Sequence, residues 1–210
     1  MKKVRVFLAA AMVTLIAAGC ASTQKAPVKQ VSTEKKVSEA PAVLTVKKDL
    51  KLPEYYNVKS KNIFENLTII YSDKDRGGAV VARSIAADIK KNKGFESKIM
   101  KESEIKKSDL IVGNVMIIGN SVTSSLMGEL KQNLPINADG TKITAGNKVF
   151  TGKEYGVTYF YPNIYNFNYA MIFVMGNSEQ AYKYYNFSNN DILVFKGTTE
   201  ISHVNYREAA

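Results

Sequence analysis

Two short stretches carry the side chains best suited to chemistry. The first, SDKDRGG over residues 72–78, offers a hydroxyl, two carboxylates two residues apart, two cations and a pair of glycines. Ser72, Lys74, Arg76, Gly77 and Gly78 make a candidate anion loop, because backbone N–H groups where a strand turns into a helix can hold a phosphate. Asp73 and Asp75 oppose that use by putting negative charge where the anion would sit. Their other role is that of ordinary solvated groups favouring the positive end of the helix. Neither G-x-G-x-x-G nor G-x-x-x-x-G-K-[ST] occurs, and those are the spacings with which glycine loops cradle phosphates. Elsewhere the repertoire is thin. His203 is the only histidine and Cys20 the only cysteine, whereas zinc sites draw on several such ligands. No metal site is therefore expected. Without a G-x-S-x-G elbow, or carboxylates spaced as an acid–base pair, no residue is assigned a catalytic role, and no cofactor is expected.

The second stretch is YFYPNIYNFNY, residues 159–169. Aromatic rings interleaved with asparagines suit a carbohydrate or peptide, the rings giving contact area and the amides hydrogen bonds. Tyr159, Tyr161, Asn163, Tyr165, Asn166 and Tyr169 form this candidate ligand or partner surface. The same composition also suits a loop packed across a sheet edge with its tyrosine hydroxyls exposed.

The elements that must position these residues alternate between strand and helix. NLTIIYS reads as a strand with a β-branched, aromatic centre. AVVARSIAADIKKNKG reads as a helix, with Val81, Ile85 and Ile89 four apart, Ala82 and Ala86 beside them, and Gly94 as its stop. FESKIMK and VMIIGN are further strands, the latter apolar throughout, as a strand covered on both faces must be. SVTSSLMGELKQNLP predicts a second helix with Leu126 and Leu130 on one face. Residues 137–161 read as a hairpin-rich insert around Gly146-Asn147 and Gly152. YAMIFVMGN is another apolar strand, SEQAYKYYNF a short helix, and DILVFKG a late strand. The order predicts an α/β fold: a small parallel or mixed sheet with flanking helices, layered as in Rossmann-like and flavodoxin-like proteins, plus a β-hairpin insert. The loop at 72–78 faintly resembles the phosphate loop of flavodoxin-like proteins, and an envelope hydrolase or flavin-binding protein using this loop is the alternative function.

The amino terminus concerns location rather than chemistry. Lys2, Lys3 and Arg5 precede an uncharged run from Val6 to Ala18, and Gly19-Cys20 follows. A positive head, a short apolar run and small exit residues are what a secretory signal needs. The run is shorter than the roughly 20 residues of a permanent membrane-spanning helix. IAAGC resembles a bacterial lipoprotein signal. The resemblance implies cleavage before Cys20, acylation of that residue, and a lipid bilayer as the first partner. Two or more acyl chains make such an anchor effectively stable. With Ala21 rather than aspartate next, Gram-negative sorting rules imply the outer membrane. The expected organisation is a signal at residues 1–19, a lipidated cysteine and flexible tether at 20–58, and one α/β domain at 59–210. The tether, to about Pro41, has no aromatic residue and too little apolar mass to offset the entropy of ordering.

Net charge is +10 over 210 residues, but residues 61–210 contribute only +3 of it. With no basic cluster there, a nucleic-acid partner is not expected.

VMIIGN, FTGKEYG, YFYPNIYNFNYAMIFVMGN and NDILVFKG together resemble an accessory α/β domain of some large secreted α/β-hydrolase or peptidase-like proteins, over roughly residues 114–197. Such domains are not the hydrolase itself. The resemblance therefore implies a free-standing, lipid-tethered version of a non-catalytic module; the tether and the missing catalytic constellation make binding of an envelope protein or glycan the expected role.

Overall fold

The computed structural model describes residues 62–145, 147–183, 185 and 192–204. Cys20, the signal-like segment and the tether lie outside the described residues. So does AVLTVKKDLKLPEYY.

Seven strands make the main sheet, in the order β10-β9-β7-β8-β3-β1-β2. They are β1 (Leu67–Tyr71), β2 (Lys98–Lys101), β3 (Asn114–Gly119), β7 (Tyr155–Pro162), β8 (Ala170–Gly176), β9 (Ile192–Lys196) and β10 (Thr199–Val204). β2, β1, β3 and β8 run parallel, and β7, β9 and β10 extend the sheet by antiparallel pairing. The fold is α/β with a mixed sheet.

Alternation along the strands splits the core into two layers. Leu67, Ile69, Met116, Ile118, Ile172 and Val174 face helix α1 (Gly78–Lys93), which meets them with Val81, Ala82, Ile85 and Ile89. Ile70, Val115, Ile117, Met171, Phe173 and Met175 face the other way. That second layer is closed by α2 (Ser125–Leu130) and a three-stranded antiparallel sheet of β4 (Ile136–Ala138), β5 (Lys142–Ala145) and β6 (Lys148–Thr151). β8, between β3 and β7, is buried at all seven positions.

Helix α1 follows its sequence pattern closely. Lys90, Lys91 and Lys93 occupy its last turn, where cations favour the helix dipole. Gly94 ends it at φ +79°, its N–H donating to the Lys90 carbonyl at 3.0 Å; a left-handed stop of this kind suits glycine. The second helix is shorter than its sequence suggests. Asn120 Oδ1 accepts the N–H groups of Val122 and Thr123, both at 3.0 Å, and holds that segment in a turn. Ser124 then caps Met127, so α2 begins only at Ser125 and passes into a 3₁₀ turn at Lys131. SEQAYKYYNF yields only a 3₁₀ turn, Ala181–Lys183, among the described residues. The insert is the small sheet β4–β6, whereas Tyr155–Pro162 belongs to the main sheet.

Candidate functional site

In open α/β sheets the ligand crevice lies beyond the carboxyl ends of the parallel strands, where chain order reverses. Here that place is between β1 and β3, since β2 lies on one side of β1 and β3 on the other. Ser72, at the end of β1, donates its hydroxyl to the Thr123 carbonyl and accepts the N–H of Lys74 at 3.2 Å. Asp75 is buried, and its Oδ1 accepts the N–H groups of both Gly77 and Gly78 at 3.0 Å. Lys74 and Arg76 are exposed. The local hydrogen bonds of Ser72, Gly77 and Gly78 give the anion-loop reading of Ser72, Lys74, Arg76, Gly77 and Gly78 no support. The donors that would meet a phosphate are taken by the chain's own carboxylate, and the serine hydroxyl is spent closing the switch point.

The two aspartates are not a pair of ordinary solvated groups either. Asp73 turns away to Ser103, accepting its N–H and hydroxyl at 2.9 Å each, which holds its carboxyl below the usual range. Asp75 is 2% exposed. Burial pushes it up to about 6; the N–H of Gly78 opposes this, and the negative charge of Glu179 adds to it. Buried in this way, Asp75 is out of reach of a substrate.

The aromatic stretch divides. Tyr159 is core: its ring stacks on Phe173 with centroids 4.8 Å apart, and its hydroxyl donates to the Ile136 carbonyl at 3.2 Å. Tyr161 is buried, and Asn163 is wholly so. Asn163 Nδ2 donates to the Leu110 carbonyl at 2.5 Å, and its Oδ1 accepts the Tyr165 N–H at 3.0 Å. These three side chains are packed inside the domain; β7 is an inner strand, and its alternate side chains fill the layer beneath it. Asn166, half-buried, donates to the Ile111 carbonyl at 2.8 Å. Tyr165 and Tyr169 remain partly exposed.

Tyr165 alone of the six lines a cleft, of about 360 Å³, between α2 and the 3₁₀ segments that precede β3. Leu110, Leu126 and Leu130 give it apolar walls, and Glu102 and Glu129 give it carboxylates. Glu102 is fixed by accepting the Leu126 N–H at 2.6 Å. Burial, then the charge of Glu129, raises the Tyr165 hydroxyl above its ordinary range; like any phenol it is a hydrogen-bond donor at neutral pH. Sequence reading places Leu126 and Leu130 on one helix face but misses both glutamates. Glu102 reaches the cleft from 24 residues before Leu126, and only the folded chain brings the two together.

His203 lies on β10 opposite Leu193. Among the described residues no group of three or more His, Cys, Asp or Glu side chains could hold a metal ion, and no helix is long and apolar enough to cross a membrane. No protein-family model matches this chain. A search of curated proteins likewise finds no match.

Proposed function

We propose that the chain is a membrane-tethered envelope lipoprotein, anchored through acylated Cys20 at the bacterial outer membrane, whose α/β domain is a non-catalytic module binding an envelope protein or glycan. The observation that carries the binding role is the cleft at Tyr165. Apolar walls, two carboxylates and a phenol kept protonated suit a contact that joins apolar burial to directed hydrogen bonds. Its volume is that of a small-molecule site or a single anchoring side chain, not of a large substrate. Once the core has taken Tyr159 and Tyr161, Tyr165 and Tyr169 remain partly exposed, and Tyr165 is the one that lines the cleft.

The loop at residues 72–78 gives no comparable support to a hydrolase or flavin protein, because Asp75 occupies its donors. The tether rests on the lipoprotein-like signal. Labelling cells with a radioactive fatty acid tests it: the wild-type chain takes up label and Cys20→Ala does not. Equal labelling would remove the anchor from the proposal.

For the cleft, the full chain in detergent is presented to solubilised envelopes and to a glycan panel, beside Tyr165→Ala and Glu129→Gln. Binding is expected to weaken by about tenfold in Y165A, roughly the loss of one good contact. Retention of an identical set of partners by both variants would place binding elsewhere.

A further inference from the structure

We infer that the cleft at Tyr165 takes a lysine side chain of a partner protein, its methylene stem against the leucine walls and its ammonium at the carboxylates of Glu102 and Glu129. Such an occupant presupposes that this cleft is the binding site, as proposed above; it narrows the partner from a protein or glycan to a protein that presents a lysine.

The walls suit a stem better than a sugar. Leu110, Leu126 and Leu130 line the cleft from the second core layer, and Ile105 packs against the same layer. Tyr165 is the one aromatic among the described lining residues, so there is little flat ring surface on which a sugar could lie. A lysine lays its methylenes along an aliphatic surface of this kind and keeps its charged head at the wet end. A volume of about 360 Å³ is at the low end for ligand sites and matches one inserted side chain.

The carboxylates come to the cleft from two sides. Leu126, Glu129 and Leu130 are three and four residues apart on α2, so Glu129 rides on the helix face that carries both leucines. Glu102 follows directly on β2. Its Oε1 accepts the Leu126 N–H at 2.6 Å, which fixes the side chain and leaves the second oxygen for another donor. The charge of Glu129 also reaches the Tyr165 phenol, where it adds to the effect of burial.

The one cation of the cleft does not cancel this charge. Lys107 is exposed, and the ion pairs among the described residues are Lys90–Glu96 and Lys196–Glu154. Two carboxylates against one ammonium leave the cleft negative, which draws a cation and repels a phosphate or a carboxylate. An ammonium is a compact head with three donors and can serve carboxylates that approach from two walls. A guanidinium presents a planar fork that fits one carboxylate face-on.

The test uses the full chain in detergent with labelled leucine methyls, titrated with N-acetyl-lysine amide and with N-acetyl-norleucine amide, which keeps the stem and lacks the charge. The lysine amide is expected to shift the Leu126 and Leu130 methyls saturably and to bind about fivefold more tightly than the norleucine amide, the order of one ion pair at a surface. Glu129→Gln, at an exposed position, leaves the fold intact; it should remove most of that preference without changing the affinity for the norleucine amide. High salt should likewise weaken the lysine amide alone. No shift with the lysine amide, equal affinity for the two amides, or a preference unchanged in E129Q overturns the lysine, and so does tighter binding of a neutral sugar at the same methyls. None of these results touches the cleft as a binding site. That reading fails separately, if Y165A and E129Q both retain the wild-type set of envelope partners.

Discussion

At the carboxyl edge of the parallel strands the β1–α1 loop is organised by one buried aspartate; at the opposite edge the β7–β8 connection is organised by one buried asparagine. Asp75 accepts two N–H groups from the start of α1. Asn163 accepts the Tyr165 N–H and donates to the Leu110 carbonyl, while its own N–H donates to the Tyr169 carbonyl at 2.9 Å. The two side chains have the same shape and differ in one respect. An amide is both donor and acceptor, so Asn163 can satisfy a carbonyl and an N–H at once. A carboxylate satisfies N–H groups alone, and its second oxygen is left over. The asparagine brings no titratable group to its edge, whereas burial raises the Asp75 carboxyl to about 6 at the other.

Exchanging the chemistry at the asparagine edge is the most severe way to break that comparison. Asn163→Asp puts a carboxylate against the Leu110 carbonyl, at a site with no exposure to water. Unfolding by urea should show a loss of about 3–5 kcal/mol at pH 7, the cost of an unpaired buried charge. The loss should shrink on acidification, as the new carboxyl takes up a proton and becomes a donor. An equal loss at pH 5 and pH 7 would mean that this edge does not depend on the donor. Next in size is Gly156→Ala. Gly156 faces Gly176 across β7 and β8, and a Cβ there would collide with the Phe195 ring and come within 2.9 Å of the Ala181 carbonyl. Overpacking of this kind costs about 1–3 kcal/mol, to be read in the same denaturation series.

Those glycines show how much of the fold was legible in the sequence. The period of Val81, Ile85 and Ile89, the continuous apolar runs of β3 and β8, and the stop at Gly94 all report a buried face through local spacing, and each element stands where its pattern puts it. The G-N pairs closing VMIIGN and VMGN are legible as strand ends. Their asparagines reach backbone carbonyls 25 to 56 residues away, from Asn120 to Gly176 and from Asn177 to Gly152, and spacing along a chain carries no such information.

The candidate site was hidden for the same reason. A tyrosine on an inner strand and a tyrosine in a loop look alike in YFYPNIYNFNY, until strand order makes β7 an interior strand and assigns Tyr159 to the core and Tyr165 to the cleft. Asp75 and Glu179 lie 104 residues apart and both come close to Gly77 because β1 and β8 end at the same edge of the sheet.

A gentler exchange sharpens the contrast at the aspartate edge. D75N gives that edge the chemistry of Asn163, and at pH 7 it should stabilise the chain by up to about 3 kcal/mol, the order expected from relieving a carboxyl raised from 3.8 to about 6. At pH 4.5, where Asp75 already holds its proton, the gain should nearly disappear. A stabilisation of the same size at both values would assign the effect to the capping of α1 rather than to the proton.

The smallest effect is expected where the sequence pointed most directly to a ligand. Lys74 and Arg76 are the cations of SDKDRGG, and in an anion site their removal would cost both affinity and the stability conferred by the bound ion. Both side chains stand in water, while the N–H groups of Gly77 and Gly78 are bonded to Asp75. Lys74→Ala and Arg76→Ala should therefore shift unfolding by no more than about 0.5 kcal/mol, as exposed substitutions do. Inorganic phosphate should raise the melting temperature of neither variant nor the wild type, because an anion competing for those N–H groups must first displace a carboxylate covalently held in place. A phosphate-dependent rise in the wild type, lost in both variants, would mean that Asp75 yields its place and that this loop binds anions after all.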